Sequence, residues 1–263
     1  MSRHRATAGR FAFALHNFAF GQEGAVLDKK LHVLSAGAAK AVVLGIAQTE
    51  GVSLQAEFGA VGAMQDQLLA GAPCDVLVLT RAMLDALAAK GMIVAGSVAD
   101  LGKVHTGIGL PAAALEGRST PAIADAAALR TLLGASSALY VPDLAKSTAG
   151  QHVARMLEGL GLRAALEGRL REFPNGATAM RAMADAGDPA AVGCTQESEI
   201  RYTPGVSFVA RLPAPYELST GYAAGVPAAA PDPESARRFV AALTGASTSE
   251  RRTKAGFEVP PGR

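Results

Sequence analysis

LHVLSAGAAKAVVLGIAQTEGVSLQAEFGAVGAMQDQLLAGAPCDVLVLT, residues 31–80, is the stretch that decides the fold. LHVLSA (31–36) is a short apolar run and reads as a strand. From Lys40 to Gln48 the spacing changes to that of a helix, with Val42, Val43 and Ile46 on one face. LQAEF (54–58) reads as the next strand. The loop GAVGA then leads to a helix over Met64–Leu69, which Gly71 and Pro73 end. DVLVLT (75–80) is apolar almost throughout, as a strand covered on both faces must be. Strand alternating with helix predicts an α/β fold with a largely parallel sheet.

The pattern continues in both directions. MLDALAAKG (83–91) reads as a short helix closed by Gly91, and after HTGIGL (105–110) the alternation restarts. A helix is expected over 122–133, strands at 138–141, 170–173 and 190–194, and a helix over 176–186. In AKSTAGQHVARMLEGLG (145–161) the apolar positions Val153, Met156, Leu157 and Leu160 form one helical face. Thr148 and Gln151 there have the spacing of a capping box. VSFVARL (206–212) and STGYAAGV (219–226) read as longer strands. Asp232 and Pro233 open a terminal helix that Gly245 closes, and GFEV near the end reads as a last short strand. Two strand–helix series predict two lobes. Lobe 1 takes residues 30–109 plus 213–263, lobe 2 takes 110–212, and the strands near 105–110 and 206–226 are expected to cross between them.

A chain of 263 residues, 49% apolar and 18% charged, has enough length and apolar content to bury a core in two modest domains. Its net charge of +2 comes from interspersed signs, so no basic tract points to nucleic acid. Cys74 and Cys194 lie far apart in apolar surroundings and read as buried free thiols, with a single disulfide as the alternative. The five histidines have no metal-site spacing, so neither a metal nor another cofactor is expected. GIGLPA (107–112) matches G-x-G-x-x-A, but Pro111 and the lack of a helical start argue against a dinucleotide. Residues 1–29 read as a peripheral N-terminal extension. The basic start and FAFALHNFAF also admit a degenerate secretory signal, which would place the protein in the periplasm rather than the cytoplasm. No run reaches the length of a membrane span.

The loops at the strand ends suggest a function. SAGAAK, GAVGAM, STAGQ and NGATAM are all built mainly from small residues and all lead into a helix start. Ligands of open α/β sheets bind outside the carboxyl ends of strands, and helix N-termini favour anions there. The candidate binding residues are therefore Ser35, Ala36, Gly37 and Ala38 in the first loop and Val61 and Gly62 in the second. Ser147, Thr148 and Ala149 belong to the third, and Thr178 to the fourth. Gln196, after the strand that ends at Cys194, can both donate to and accept from a bound carboxylate. Lys40 and Arg81, just past strand ends, could supply charge, and His152 an acid or base.

Six segments carry a resemblance: LHVLSAGAAKAV, FGAVGAMQDQLLAGAPCDVLVLT, LAAKG, STAGQHVARMLEGLG, VGCTQESEI and KAGFEV. In this order they resemble segments of the molybdate-binding-protein-like bacterial substrate-binding proteins, over about residues 30–260. The resemblance implies a two-lobed type II periplasmic-binding-protein fold closing on a ligand. It also implies a monomer that hands a small anion to an ABC-transporter membrane component, or senses it. Molybdate binders of this class use serines from the first two loops and a tyrosine from the second lobe. Here Ala38, Val61 or Gly62, and Gln196 stand at those places, leaving Ser35 and Ser147 or Thr148 as hydroxyl donors. The segments resemble more closely a divergent branch that includes aconitate isomerase, so a small organic carboxylate is expected rather than molybdate. As an isomerase, the chain would use His152, Lys40 or Glu197 as its base.

Overall fold

The computed structural model describes residues 30–259, so the expected extension over 1–29 lies outside the described residues. Lobe 1 begins with β1 (Leu31–Ala36), α1 (Lys40–Glu50), β2 (Leu54–Gly59), α2 (Val61–Leu69), β3 (Val76–Thr80) and α3 (Arg81–Ala89). β4 (Ala99–Pro111) then runs from lobe 1 into lobe 2. Lobe 2 contains α4 (Ala126–Ala135), β5 (Leu139–Pro142), α5 (Thr148–Gly159), α6 (Arg163–Leu166), β6 (Leu170–Phe173) and α7 (Gly176–Ala186). It is completed by β7 (Val192–Gln196), α8 (Glu197–Tyr202) and β8 (Val206–Arg211). The chain returns to lobe 1 as β9 (Ser219–Gly225), α9 (Pro233–Thr244), α10 (Ser249–Lys254) and β10 (Phe257–Glu258).

The strand order is β2-β1-β3-β9-β4-β7-β5-β6, with β8 and β10 also paired to β4. β3 is buried along Val76–Leu79 and lies inside the sheet, whereas β2 alternates exposed and half-buried positions and forms an edge. The α1 face holding Val42, Val43 and Ile46 is fully buried in the lobe 1 core. Each such side chain contributes about 1.5–3 kcal/mol of burial. The buried apolar residues separate into one cluster from 31–104 and 222–257 and two from 108–212.

The expectation of a largely parallel sheet needs correction. β1, β2 and β3 are parallel, as are β5, β6 and β7, but every ladder of β4 and β9 is antiparallel. The cause is topological: the chain crosses the lobes twice and inserts β9 between β3 and β4 on its way back. β4 is also longer than expected, since Ala99–Val104 pairs with β9 despite its interrupted apolar pattern. The stretch 206–226 holds the two strands expected of it, joined by the second crossing. Both crossings meet at Thr106, whose amide donates to the Leu218 carbonyl (2.9 Å) and whose carbonyl accepts from the Leu212 amide (3.1 Å).

Candidate functional site

Each candidate loop sits where a strand runs into a helix, and the seam between the lobes holds three neighbouring cavities. The central one is lined by Ala36, Gly37 and Ala38, by Gly59, Ala60 and Val61, by Ser147 and Thr148, and by Asn175. All four loops therefore converge. Gln196, Glu199 and Tyr222 complete the wall. Its free volume is about 10 Å³, room for about one water. On one side it adjoins an open cleft of about 850 Å³ through the shared Val61 and Thr148. On the other it adjoins an annex of about 290 Å³ through Gly37 and Asn175.

The four helix starts differ between lobes. Ala36 and Ala60, which precede the lobe 1 helical turns, offer no side-chain cap. In lobe 2, Ser147 accepts from the Gly150 amide (3.4 Å) and Asn175 from the Thr178 amide (2.9 Å). The cap of α5 is thus Ser147, not Thr148, and Gln151 turns its amide to the Ala145 carbonyl instead of closing a capping box. Among the described residues no Lys, Arg or His lines the central cavity. Any positive potential there comes from helix N-termini, mainly those of lobe 1.

Glu199 is the unexpected wall residue. It is 5% exposed, and its carboxylate accepts from the Thr195 hydroxyl (2.6 Å) and the Gly176 amide (3.2 Å). An internal carboxylate therefore already occupies the N-terminus of α7. Burial pushes the Glu199 carboxyl above its ordinary range, although Thr195 and nearby backbone amides pull it back. Gly37 lies directly against it: a Cβ there would fall 2.6 Å from Glu199 Oε1.

Gln196 and Tyr222 enter the cavity wall from different lobes. Gln196 is 2% exposed, its Nε2 donates to the Thr220 hydroxyl (3.4 Å), and its Oε1 has no hydrogen-bond partner among the described residues. A buried amide oxygen in that state can still accept from a donor that enters the cavity. Burial and the Glu199 charge raise the Tyr222 hydroxyl, with the Gln196 amide opposing them. A tyrosine does reach the cavity, but from β9 of lobe 1.

The remaining candidates lie elsewhere. Ser35 is fully buried, and its hydroxyl donates to the Ala36 carbonyl (3.0 Å). Gly62 lines the open cleft, its amide donating across the seam to the Lys146 carbonyl (3.2 Å). Arg81 also lines that cleft, tied to Asp85 and Asp100. Ala149 is buried and lines none of the three cavities, while Thr178 lines the annex. His152 donates from Nε2 to the Tyr216 carbonyl (2.8 Å) and lines none of the three cavities. Lys40 sits in the annex, its Nζ 5.5 Å from the ring centroids of both Phe58 and Tyr202. The buried Glu197 carboxylate is held by Arg201 (2.7 Å) and Arg211 (3.0 Å). Sequence reasoning missed Glu199, Tyr222 and Asn175 as wall residues. Asn175 carried the clearest sign, an N-cap type directly ahead of GATAM.

Among the described residues no cluster of His, Cys, Asp and Glu could hold a metal, and no helix is long and apolar enough to cross a membrane. A family model described as bacterial extracellular solute-binding protein matches residues 31–258. No curated protein matches the chain. Among solved structures, the periplasmic molybdate-binding protein of Azotobacter vinelandii is similar with a TM-score of 0.70 at 18% identity, over 88% of this chain and 100% of that one. The sulfate-binding protein SubI of Mycobacterium tuberculosis H37Rv has a TM-score of 0.62 at 15% identity, over 88% and 87%. A periplasmic thiamin binding protein has a TM-score of 0.59 at 12% identity, over 91% and 86%. At these identities the likeness establishes the fold, a type II periplasmic-binding-protein architecture, and not the ligand.

Proposed function

The chain belongs to the bacterial extracellular solute-binding protein family, and from that premise we propose that it captures a small organic carboxylate between its lobes and delivers it to an ABC-type membrane component. The moving units are lobe 1 (30–109 plus 213–263) and lobe 2 (110–212), turning about the double crossing at Thr106. One observation carries the reading: four helix-leading loops from both lobes surround a single cavity at the seam, with no carboxylate but Glu199 among the described residues of its wall. The uncapped turns at Gly37 and Val61 would receive the carboxylate, with the Ser147 and Thr148 hydroxyls and the Gln196 Nε2 group donating side-chain hydrogen bonds.

Two features favour a carboxylate over a tetrahedral oxyanion. Alanine and valine stand at Ala38 and Val61, so those positions offer no hydroxyl, and every oxygen of a desolvated dianion needs donors. The Glu199 carboxyl would also repel a compact dianion more strongly than a single carboxylate. Capture without turnover is favoured because His152 lines none of the three cavities, Glu197 is held by Arg201 and Arg211, and Glu199 is engaged by donors of its own lobe.

Thermal-shift screening of the purified protein against molybdate, sulfate and a panel of small organic acids tests this. An acid at a hundredfold excess over Kd should stabilise the fold by about 2.7 kcal/mol, and proton NMR should show it chemically unchanged. Stabilisation by molybdate or sulfate alone would overturn the ligand class, and conversion of the acid would overturn capture.

A further inference from the structure

The annex contains a charge arrangement that capture of a single carboxylate leaves unused. Lys40, the first residue of α1 in lobe 1, and Arg181, on α7 in lobe 2, line the same cavity of about 290 Å³. Among the described residues no carboxylate lines it, and neither cation has an ion pair or hydrogen bond. Glu199, the acid of the adjoining central cavity, is turned onto Gly176 and Thr195. Lys40 is held in place by Phe58 and Tyr202, with its Nζ 5.5 Å from each ring centroid. Such contacts contribute about 0.5–1 kcal/mol at exposed sites and keep the ammonium at the mouth instead of swinging into solvent.

Two cations from opposite lobes thus line one cavity, and an anion bound between them would make a charge-assisted contact with each. Asn175 and Thr178 add polar groups to the same wall. The annex adjoins the central cavity, since Gly37 and Asn175 line both. We infer that the Lys40–Arg181 annex is the seat of a second carboxylate of the captured solute, so that the ligand is an elongated di- or tricarboxylate. Its first carboxylate lies in the central cavity, and this inference rests on the capture reading above. Closure would then be coupled to ligand length, because a monocarboxylate leaves the two cations unbridged.

Isothermal titration of the full chain tests this. The ligands are propionate and butyrate, then succinate, glutarate and tricarballylate, then sulfate alone. The proteins are the parent, Lys40→Met and Arg181→Gln, with circular dichroism confirming that each variant is folded. At least one of the longer acids should bind about tenfold or more tightly than any monocarboxylate, and each variant should lower that preference about tenfold. If the variants leave the preference unchanged while a carboxylate still binds the parent, the annex assignment fails and capture survives. An equal loss for short and long acids would also overturn it, since it would report a general field. Sulfate binding that disappears in both variants would mark an independent inorganic-anion site and overturn the second-arm assignment. If no carboxylate binds the parent, the capture reading fails and this inference falls with it.

Discussion

The Glu199 carboxylate of lobe 2 rests on the bare Cα of Gly37 in lobe 1, so closely that a Cβ there would fall 2.6 Å from Oε1. Gly37 is not needed for its backbone angles, since its φ is not positive. It is needed for space. Glu199 cannot retreat easily, because Thr195 and the start of α7 hold it from behind.

Gly37→Ala should therefore wedge the seam. The expected loss of stability is about 1–3 kcal/mol, the usual cost of overpacking a close contact. Small-angle scattering should show a larger radius of gyration, and affinity for any captured acid should fall. An alanine variant with parental stability, dimensions and affinity would show that the lobes do not depend on this contact.

The same carboxyl gives a pH dependence. Its folded pKa lies above the ordinary range through burial, so the folded protein holds this proton more tightly than the unfolded chain does. Its contribution is then fully present at low pH. It is lost as pH rises from the ordinary carboxylate range through the raised folded value. Unfolding free energy measured across that window should decline in the parent protein, and Glu199→Gln should flatten the decline whatever it does to absolute stability. A slope that survives in Glu199→Gln would assign the proton to another group.

The elements easiest to read in the sequence were those whose structure is set locally. β3 is apolar throughout and lies inside the sheet; α5 buries Val153, Met156 and Leu157 as their spacing required. The meeting of four loops came from one rule about strand ends, and it applies because consecutive parallel units all point the same way. What depended on distant pairing was hidden. Asp100, Gly102 and Lys103 break the pattern of β4, and only its ladder with β9 makes that half a strand. Tyr222 sits among small residues and reads as core, while Glu199 reads as a polar helix start. The role of each appears only when the other lobe is in place. His152 looked free on its helix because its partner, the Tyr216 carbonyl, is 64 residues away.

The two cysteines should be unreactive in the folded protein. Cys74 and Cys194 are buried and unpaired, and burial pushes each thiol up to about 12. At pH 8 the thiolate fraction is then about one in ten thousand, and the thiolate is the attacking species. Native protein exposed to an aromatic disulfide reagent should show no labelling by mass, and unfolded protein should take up two labels. Rapid native labelling at either position would contradict its burial.

Thr106 offers a test of the hinge through its side chain alone. Its backbone bonds tie the two crossings together, but its hydroxyl is buried and has no hydrogen-bond partner among the described residues. An unmet buried hydroxyl costs about 1–3 kcal/mol, so replacing it with a methyl of the same shape removes a penalty and leaves the backbone bonds intact. Thr106→Val should match or exceed the parent in urea unfolding, by up to about 1 kcal/mol, with an unchanged slope. Captured-acid affinity should hold if the proposed hinge acts through the main-chain groups of Thr106. A clear loss of stability would mean that the hydroxyl has a partner in solution, and a loss of affinity alone would place that hydroxyl in the opening motion.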